Sequence, residues 1–210
     1  MEFRINVEPD GELPMGGRGS VDLYWIPLGA GARSVRFNGI VYEAIAAALQ
    51  RRSRRGIYHS AVRITLPSGT YMVEMTPIPD AYGNERGVVA EGPVGVPAAQ
   101  RFRLLRYEIR RWRNGVVPDL DQAVSSPIRV CHDLASAQRI FDLVPGVPRA
   151  TWGRDELQAG EMWTCNSVIS WALATGGIDV GALPLPANGR APGWDAGDAI
   201  AHRPPVLVAA

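Results

Sequence analysis

The sequence predicts an α+β protein in which an antiparallel sheet packs against helices, and three observations carry that prediction. Two β-rich runs, Ile57 to Leu66 and Thr70 to Thr76, flank Pro67-Ser68-Gly69, the strongest hairpin signal in the chain. Two segments of helical period, Asp133 to Leu143 and Thr164 to Gly176, each begin at a residue suited to capping and end at a breaker. The 17 prolines and 23 glycines are scattered as turn punctuation instead of forming a linker, so the 210 residues, 46% of them hydrophobic, read as a single domain with its own core.

Charge and composition narrow the function classes. Twenty-two basic residues against 21 acidic ones leave a net charge near +1, so no global field draws the chain to nucleic acid or to an anionic membrane. Every basic residue is Arg, which reflects coding bias more readily than a set of binding sites. The start of the chain reaches Asp10 without an apolar h-region, so the sequence predicts no secretory signal and a cytoplasmic setting. The longest uncharged stretches, 162–178 and 180–189, are broken by Asn166, Gly176, Gly177, Pro184 and Pro186, which a membrane-spanning helix would not choose. Two cysteines, Cys131 and Cys165, allow at most one disulfide and read as a core residue or a reactive thiol.

Along the chain, Val21 to Ile26 reads as a strand closed by Pro27 and Gly29. Asn38 can cap a helix over 39–50, whose C-terminal Arg51, Arg52, Arg54 and Arg55 complement the helix dipole. With Ser68-Gly69 as a two-residue turn, the hairpin sets Glu74 opposite Arg63, a cross-strand ion pair, and His59 opposite Ile78. The Gly- and Val-rich stretch 82–96 lacks the GK[ST] of a phosphate loop and reads as a strand with loops. The stretch 101–113, six Arg among aromatic and aliphatic residues, reads as another strand with its Arg toward solvent. A nucleic-acid surface is the weaker reading of that stretch. Cys131-His132 has no companion ligands at metal-site spacing, so no metal centre is expected. Residues 188–210 read as a turn-rich C-terminal tail in which Trp194 and Asp195 either wall a cleft or cap the core.

The chemistry concentrates at 162–177. Thr164 is a suitable N-cap, and Cys165 would be the first helical residue. A thiol there meets the positive end of the helix dipole and free backbone N–H groups, which favour thiolate and could hold an oxyanion. Cys165 also begins the stripe Cys165, Val168, Ile169, Ala172 and Leu173, and on spacing alone a small core residue is the stronger reading. A cysteine nucleophile needs a base, and among His59, His132 and His202 only His59 stands near the start of a confident strand.

His59-Ser-Ala-Val in one strand, Tyr71-Met-Val-Glu-Met-Thr-Pro77 in the next, and Cys165 at a later helix start resemble the circularly permuted branch of the NlpC-type papain-like superfamily. That branch includes lecithin retinol acyltransferase and bacterial lipid or peptide hydrolases. The resemblance covers roughly residues 55–77 and 160–177. It implies a permuted papain-like arrangement in which the Cys-bearing helix follows the sheet. It also implies Cys165 as nucleophile, His59 as base and Glu74 as the group that orients the imidazole. The tight-turn register separates Glu74 from His59, which leaves Thr76 and Asp80 as alternatives for the third role. The expected activity is a thiol hydrolase or acyltransferase acting on an amide, ester or thioester of a small-molecule, lipid or peptide substrate. No cofactor, no metal and no nucleic acid enter that reading. The alternative is a non-catalytic binding or interaction module of the same fold, with Cys165 as packing.

Overall fold

The computed structural model describes residues 19–28, 56–78, 86–117 and 119–204. The helix expected over 39–50 and the residue Asp80 lie outside them.

Seven strands form one sheet: β1 (Ser20–Pro27), β2 (Gly56–Leu66), β3 (Gly69–Pro77), β4 (Val88–Pro93), β5 (Arg106–Arg113), β6 (Val124–Cys131) and β7 (Gly189–Arg190). Their order is β4-β5-β3-β2-β1-β6, antiparallel throughout, with the short β7 pairing in parallel to the start of β2. Three α-helices are described, α1 (Leu134–Leu143), α2 (Cys165–Thr175) and α3 (Trp194–Ala201). The coarse class read from the sequence, α+β with an antiparallel sheet against helices, is therefore the class observed.

Strand alternation divides the core between the two faces of the sheet. Val21, Leu23 and Trp25 of β1, Val62 and Ile64 of β2, Val73 and Met75 of β3, and Tyr107 and Ile109 of β5 pack with α1 and α2 on the first face. The opposite positions Tyr24, Ile26, Ala61 and Met72 pack with Val117 on the second. Residues 21–26 of β1 are buried without a break, as a strand near the centre of a two-sided sheet requires.

The hairpin turn differs by one residue from the expected one. Leu66 pairs with Gly69, so Pro67 and Ser68 form the turn, and Arg63 lies opposite Met72 instead of Glu74. Gly69, at φ 136°, begins β3 in a conformation that only glycine adopts freely. Glu74 instead faces Arg110 across the β3–β5 ladder. Arg63 sits over the Tyr24 ring, 5.0 Å from its centroid.

Two other segments also fold differently from their sequence reading. The stretch 101–113 is a pair of 3₁₀ turns, Pro97–Arg101 and Arg103–Leu105, followed by β5, and Arg110 is buried instead of facing solvent. The turn-rich tail contains β7 and α3, and α3 packs closely on α2. Trp194 caps the core: its ring lies 4.8 Å from that of Trp25, and its Nε1 donates to Val180 O at 3.3 Å. Asp195 is exposed.

The contact of α3 with α2 has no spare room. A Cβ built on Gly197 would lie 2.0 Å from Ser170 Oγ and 2.1 Å from the Ser167 carbonyl oxygen. Gly197→Ala should therefore destabilise the protein by about 3 kcal/mol, at the upper end of overpacking costs. Urea unfolding should show a lower midpoint with an unchanged slope, and a wild-type midpoint would mean that α3 is not held against α2 in this way.

Candidate functional site

The site begins with an interruption in the sheet. The β2–β3 ladder stops at Val62↔Val73, and β7 pairs only with Gly56 and Ile57. Between these partners, residues 58–61 of β2 have no strand on the side away from β1. Two unpaired strand groups there, the Tyr58 carbonyl and the Ser60 N–H, would each cost about 1–3 kcal/mol if left buried and unmet.

The first turn of α2 lies against them. Thr164 caps the helix, its hydroxyl accepting from Asn166 N at 3.1 Å while Ser167 Oγ accepts from Thr164 N at 2.9 Å, which completes a reciprocal capping box. Asn166, buried at 2% exposure, donates through Nδ2 to Tyr58 O at 3.0 Å and Pro192 O at 2.9 Å, and its Oδ1 accepts from Ser60 Oγ at 2.9 Å. The Ser60 backbone lies close enough to Cys165 to offset part of the burial effect on its thiol. The preceding loop and α3 are tied to the same turn: Thr164 Oγ1 donates to Pro192 O, Ser167 Oγ to Gly193 O and Ser170 Oγ to Trp194 O, each at 2.7 Å. Gly193, at φ 84°, brings that loop close enough that a Cβ would stand 2.5 Å from Thr164 Oγ1.

Strand N–H groups point in the plane of the sheet, so a group that meets Ser60 N approaches at the strand edge. The residue bonded to that nitrogen is His59. The Ser60–Asn166 bond brings the first turn of α2, and with it Cys165, near the backbone of Ser60, the residue that follows His59. By alternation the His59 side chain starts from the second face, with Ala61, while Ser60 starts from the face that α2 covers.

Glu74 is engaged elsewhere. Its Oε1 accepts from Arg110 Nη1 at 3.0 Å, Arg110 Nε donates to Glu108, and Glu108 accepts from Arg86 Nε at 2.9 Å. All four side chains are buried and lie in a chain of alternating charge. Burial pushes the Glu74 carboxyl up, and Arg110 offsets only part of that. Burial acts on Glu108 too, but bonds and charge from two arginines hold its carboxyl below the ordinary value. The Arg63–Glu74 ion pair expected from the tight-turn register does not form, since Glu74 bonds Arg110. Among the described residues no hydrogen bond joins Glu74 to the His59 ring. Thr76 Oγ1 donates to the Pro77 carbonyl at 3.4 Å.

The protonation states also differ from the sequence expectation. The helix start was expected to favour thiolate, yet burial pushes the Cys165 thiol up to about 11, with the N–H groups of Asn166, Ser60 and Cys165 and the Thr164 hydroxyl offsetting part of the rise. Desolvation outweighs the dipole because Cys165 sits inside the protein, only 6% exposed as a residue. Burial likewise lowers the His59 imidazole to about 4. At neutral pH the site holds a neutral thiol and a neutral imidazole. Cys131, at the end of β6, is also a free thiol raised by burial, and His132 beside it is exposed. Among the described residues no group of three or more His, Cys, Asp or Glu side chains could hold a metal ion, and no helix is long and apolar enough to cross a membrane.

The buried pair ion Glu74–Arg110, the Asn166 bridge and the missing β3 partner were all invisible to pattern reading. The one available signal was polarity. Asn166, Ser167 and Ser170 interrupt what is otherwise an apolar helix, and a buried helix carries polar residues only where partners await them.

Comparison with family models, with curated proteins and with solved structures gives no match.

The depressed imidazole sets a pH dependence. In the unfolded chain His59 takes up its proton near pH 6.5, whereas the folded protein resists until about 4. The unfolded state therefore binds the extra proton in this window, so the stabilisation present above pH 6.5 is lost as pH falls toward 4, by up to about 3 kcal/mol. Unfolding measured across that range should show the slope, and His59→Gln should flatten it. An identical slope in the variant would assign the effect to other groups.

Proposed function

We propose that the chain is a thiol hydrolase or acyltransferase of permuted papain-like arrangement, with Cys165 as nucleophile and His59 as base. The observation that carries the reading is the placement of Cys165 at the capped first turn of α2, where the adjacent Asn166 bonds Ser60, the residue that follows His59. The order of elements, His strand before Cys helix, supports it.

In this reading the resting state is thiol and neutral imidazole, the protonation state that general-base catalysis requires. His59 takes the thiol proton as sulfur attacks the carbonyl carbon of an ester, thioester or amide. The tetrahedral intermediate expels the leaving group, which receives that proton from His59. Water or a second acceptor, deprotonated by the same imidazole, then releases the acyl group from sulfur. The backbone groups of Cys165, Asn166 and Ser60 lower the thiol pKa against its burial and would stabilise the thiolate as it forms. The resemblance assigns Glu74 the positioning role, although its carboxylate bonds Arg110 and, among the described residues, makes no hydrogen bond to the His59 ring. Its Arg110 bond occupies one carboxylate oxygen, and it shares a sheet face with His59. Substrates are small-molecule, lipid or peptide acyl compounds, without cofactor.

The non-catalytic alternative has its own supporting observation: a cysteine at 6% exposure, packed in the main core beneath the sheet, is a sufficient structural reason for the residue. Turnover separates the two. With p-nitrophenyl acetate as probe, Cys165→Ser and His59→Ala should each lower turnover by at least about 100-fold, while Cys165→Ser, a near-isosteric change, keeps an unfolding midpoint close to wild type. Turnover that survives both substitutions would leave Cys165 as a core residue only.

Glu74→Gln distinguishes a positioning role from a structural one. Loss of the charge should cost about 1–3 kcal/mol of stability in either case, because Arg110 keeps only Glu108 as a full counter-charge. A positioning residue should also lower turnover and shift its pH profile; stability loss at unchanged turnover and profile would remove Glu74 from the site.

A further inference from the structure

The turn between β4 and β5 exposes a concentration of apolar side chains that the core and the thiol site leave unused. Phe102 is 58% exposed, Leu104 77% and Leu105 47%, and Val96 stands beside them. Isolated exposed apolar residues need no explanation, but several on one tip mark a contact surface. Arg101 is exposed within the same run, and Arg103 follows one residue after Phe102.

The tip is built to keep these side chains outward. Gly95 N donates to Trp152 O, Trp152 N to Pro93 O and Val94 N to Leu105 O, each at 2.9 Å, which fixes its base. Ala99, at 4% exposure, plugs the interior. Within the tip, Ala99 N donates to Val96 O, Phe102 N to Ala99 O and Leu105 N to Phe102 O, while Arg106 Nε closes onto Gln100 O. These bonds meet part of the tip's backbone demand, which eases its entry into the polar headgroup region.

We propose that this tip docks the protein on an anionic lipid surface, Phe102, Leu104 and Leu105 entering the headgroup boundary while Arg101 meets lipid phosphate. Charge and shape favour lipid over a protein partner. The apolar side chains are interleaved with cationic ones on a projecting turn, the pattern of interfacial membrane segments. The local pair of Arg106 with Glu91, 3.3 Å apart, leaves Arg101 as an exposed cation available to the surface. The proposal does not depend on the thiol reading, because no residue of the tip belongs to that site.

Flotation of the full chain with vesicles tests it. Phosphatidylcholine vesicles containing about one-third phosphatidylglycerol should carry the protein, and pure phosphatidylcholine vesicles at least about tenfold less. Added salt should weaken the binding. The triple variant Phe102→Ser, Leu104→Ser and Leu105→Ser should lose binding by about tenfold or more with an unchanged unfolding midpoint, and Arg101→Glu should weaken it and reduce the salt effect. Phe102→Trp should show a blue shift of its fluorescence on anionic vesicles. Absence of wild-type flotation would overturn the proposal, as would equal binding by the triple variant. Self-association in light scattering that the triple variant abolishes, without vesicle binding, would also overturn it and assign the tip to a second copy of the chain.

Discussion

The structure depends on how the open edge of β2 is closed. Where β3 has separated from β2 and β7 has only begun to pair, the start of α2 supplies a side chain in place of a strand: Asn166 takes the Tyr58 carbonyl and the Ser60 hydroxyl, with Cys165 packed beside them. A buried amide can bond several groups at once, and each bond lost in a dry interior would leave a polar group unmet. Those demands fix where α2 begins. They also fix the loop at Pro192 and Gly193, and through Ser167 and Ser170 the seat of α3, whose Trp194 closes over Trp25.

That arrangement explains why a helix N-terminus fails here to give an acidic thiol. The dipole and first-turn N–H groups lower a cysteine pKa most effectively when solvent shares the site. At Cys165 they act against nearly complete burial, and burial dominates. His59 is displaced in the opposite direction by the same cause, so both members of the pair are held in their uncharged forms. A neutral pair of this kind rests without a buried net charge, and charge separation is confined to the moment of reaction in the proposed mechanism.

On the second face, charge is buried but compensated. Arg86, Glu108, Arg110 and Glu74 alternate in sign along one chain of contacts, so removing any one leaves a neighbour with a reduced set of partners. Arg110 also stacks 5.7 Å from the Trp112 ring centroid, which shields it further from water. Glu74 thereby has a structural reason to be a carboxylate in addition to the positioning role proposed for it.

The sequence by itself determined the elements whose signals are local. Asp133 caps α1 through Ser136 N, Thr164 caps α2 at the expected residue, and β2 and β3 form the hairpin that their β-rich runs and Pro-Gly turn announce. Those features follow from backbone propensity and from hydrogen bonds spanning a few residues, which neighbouring letters encode. It did not fix the hairpin register, because Pro67-Ser68 and Ser68-Gly69 are both acceptable turns and differ by one residue. The tertiary structure decided that register, which sets Arg63 opposite Met72, while Glu74 meets Arg110 across the β3–β5 ladder. It also decided the fate of the tail and of Arg110, whose partners lie far away in sequence. The Cys165 placement and its protonation were decided there too, because desolvation depends on everything packed around a group and no local pattern records it.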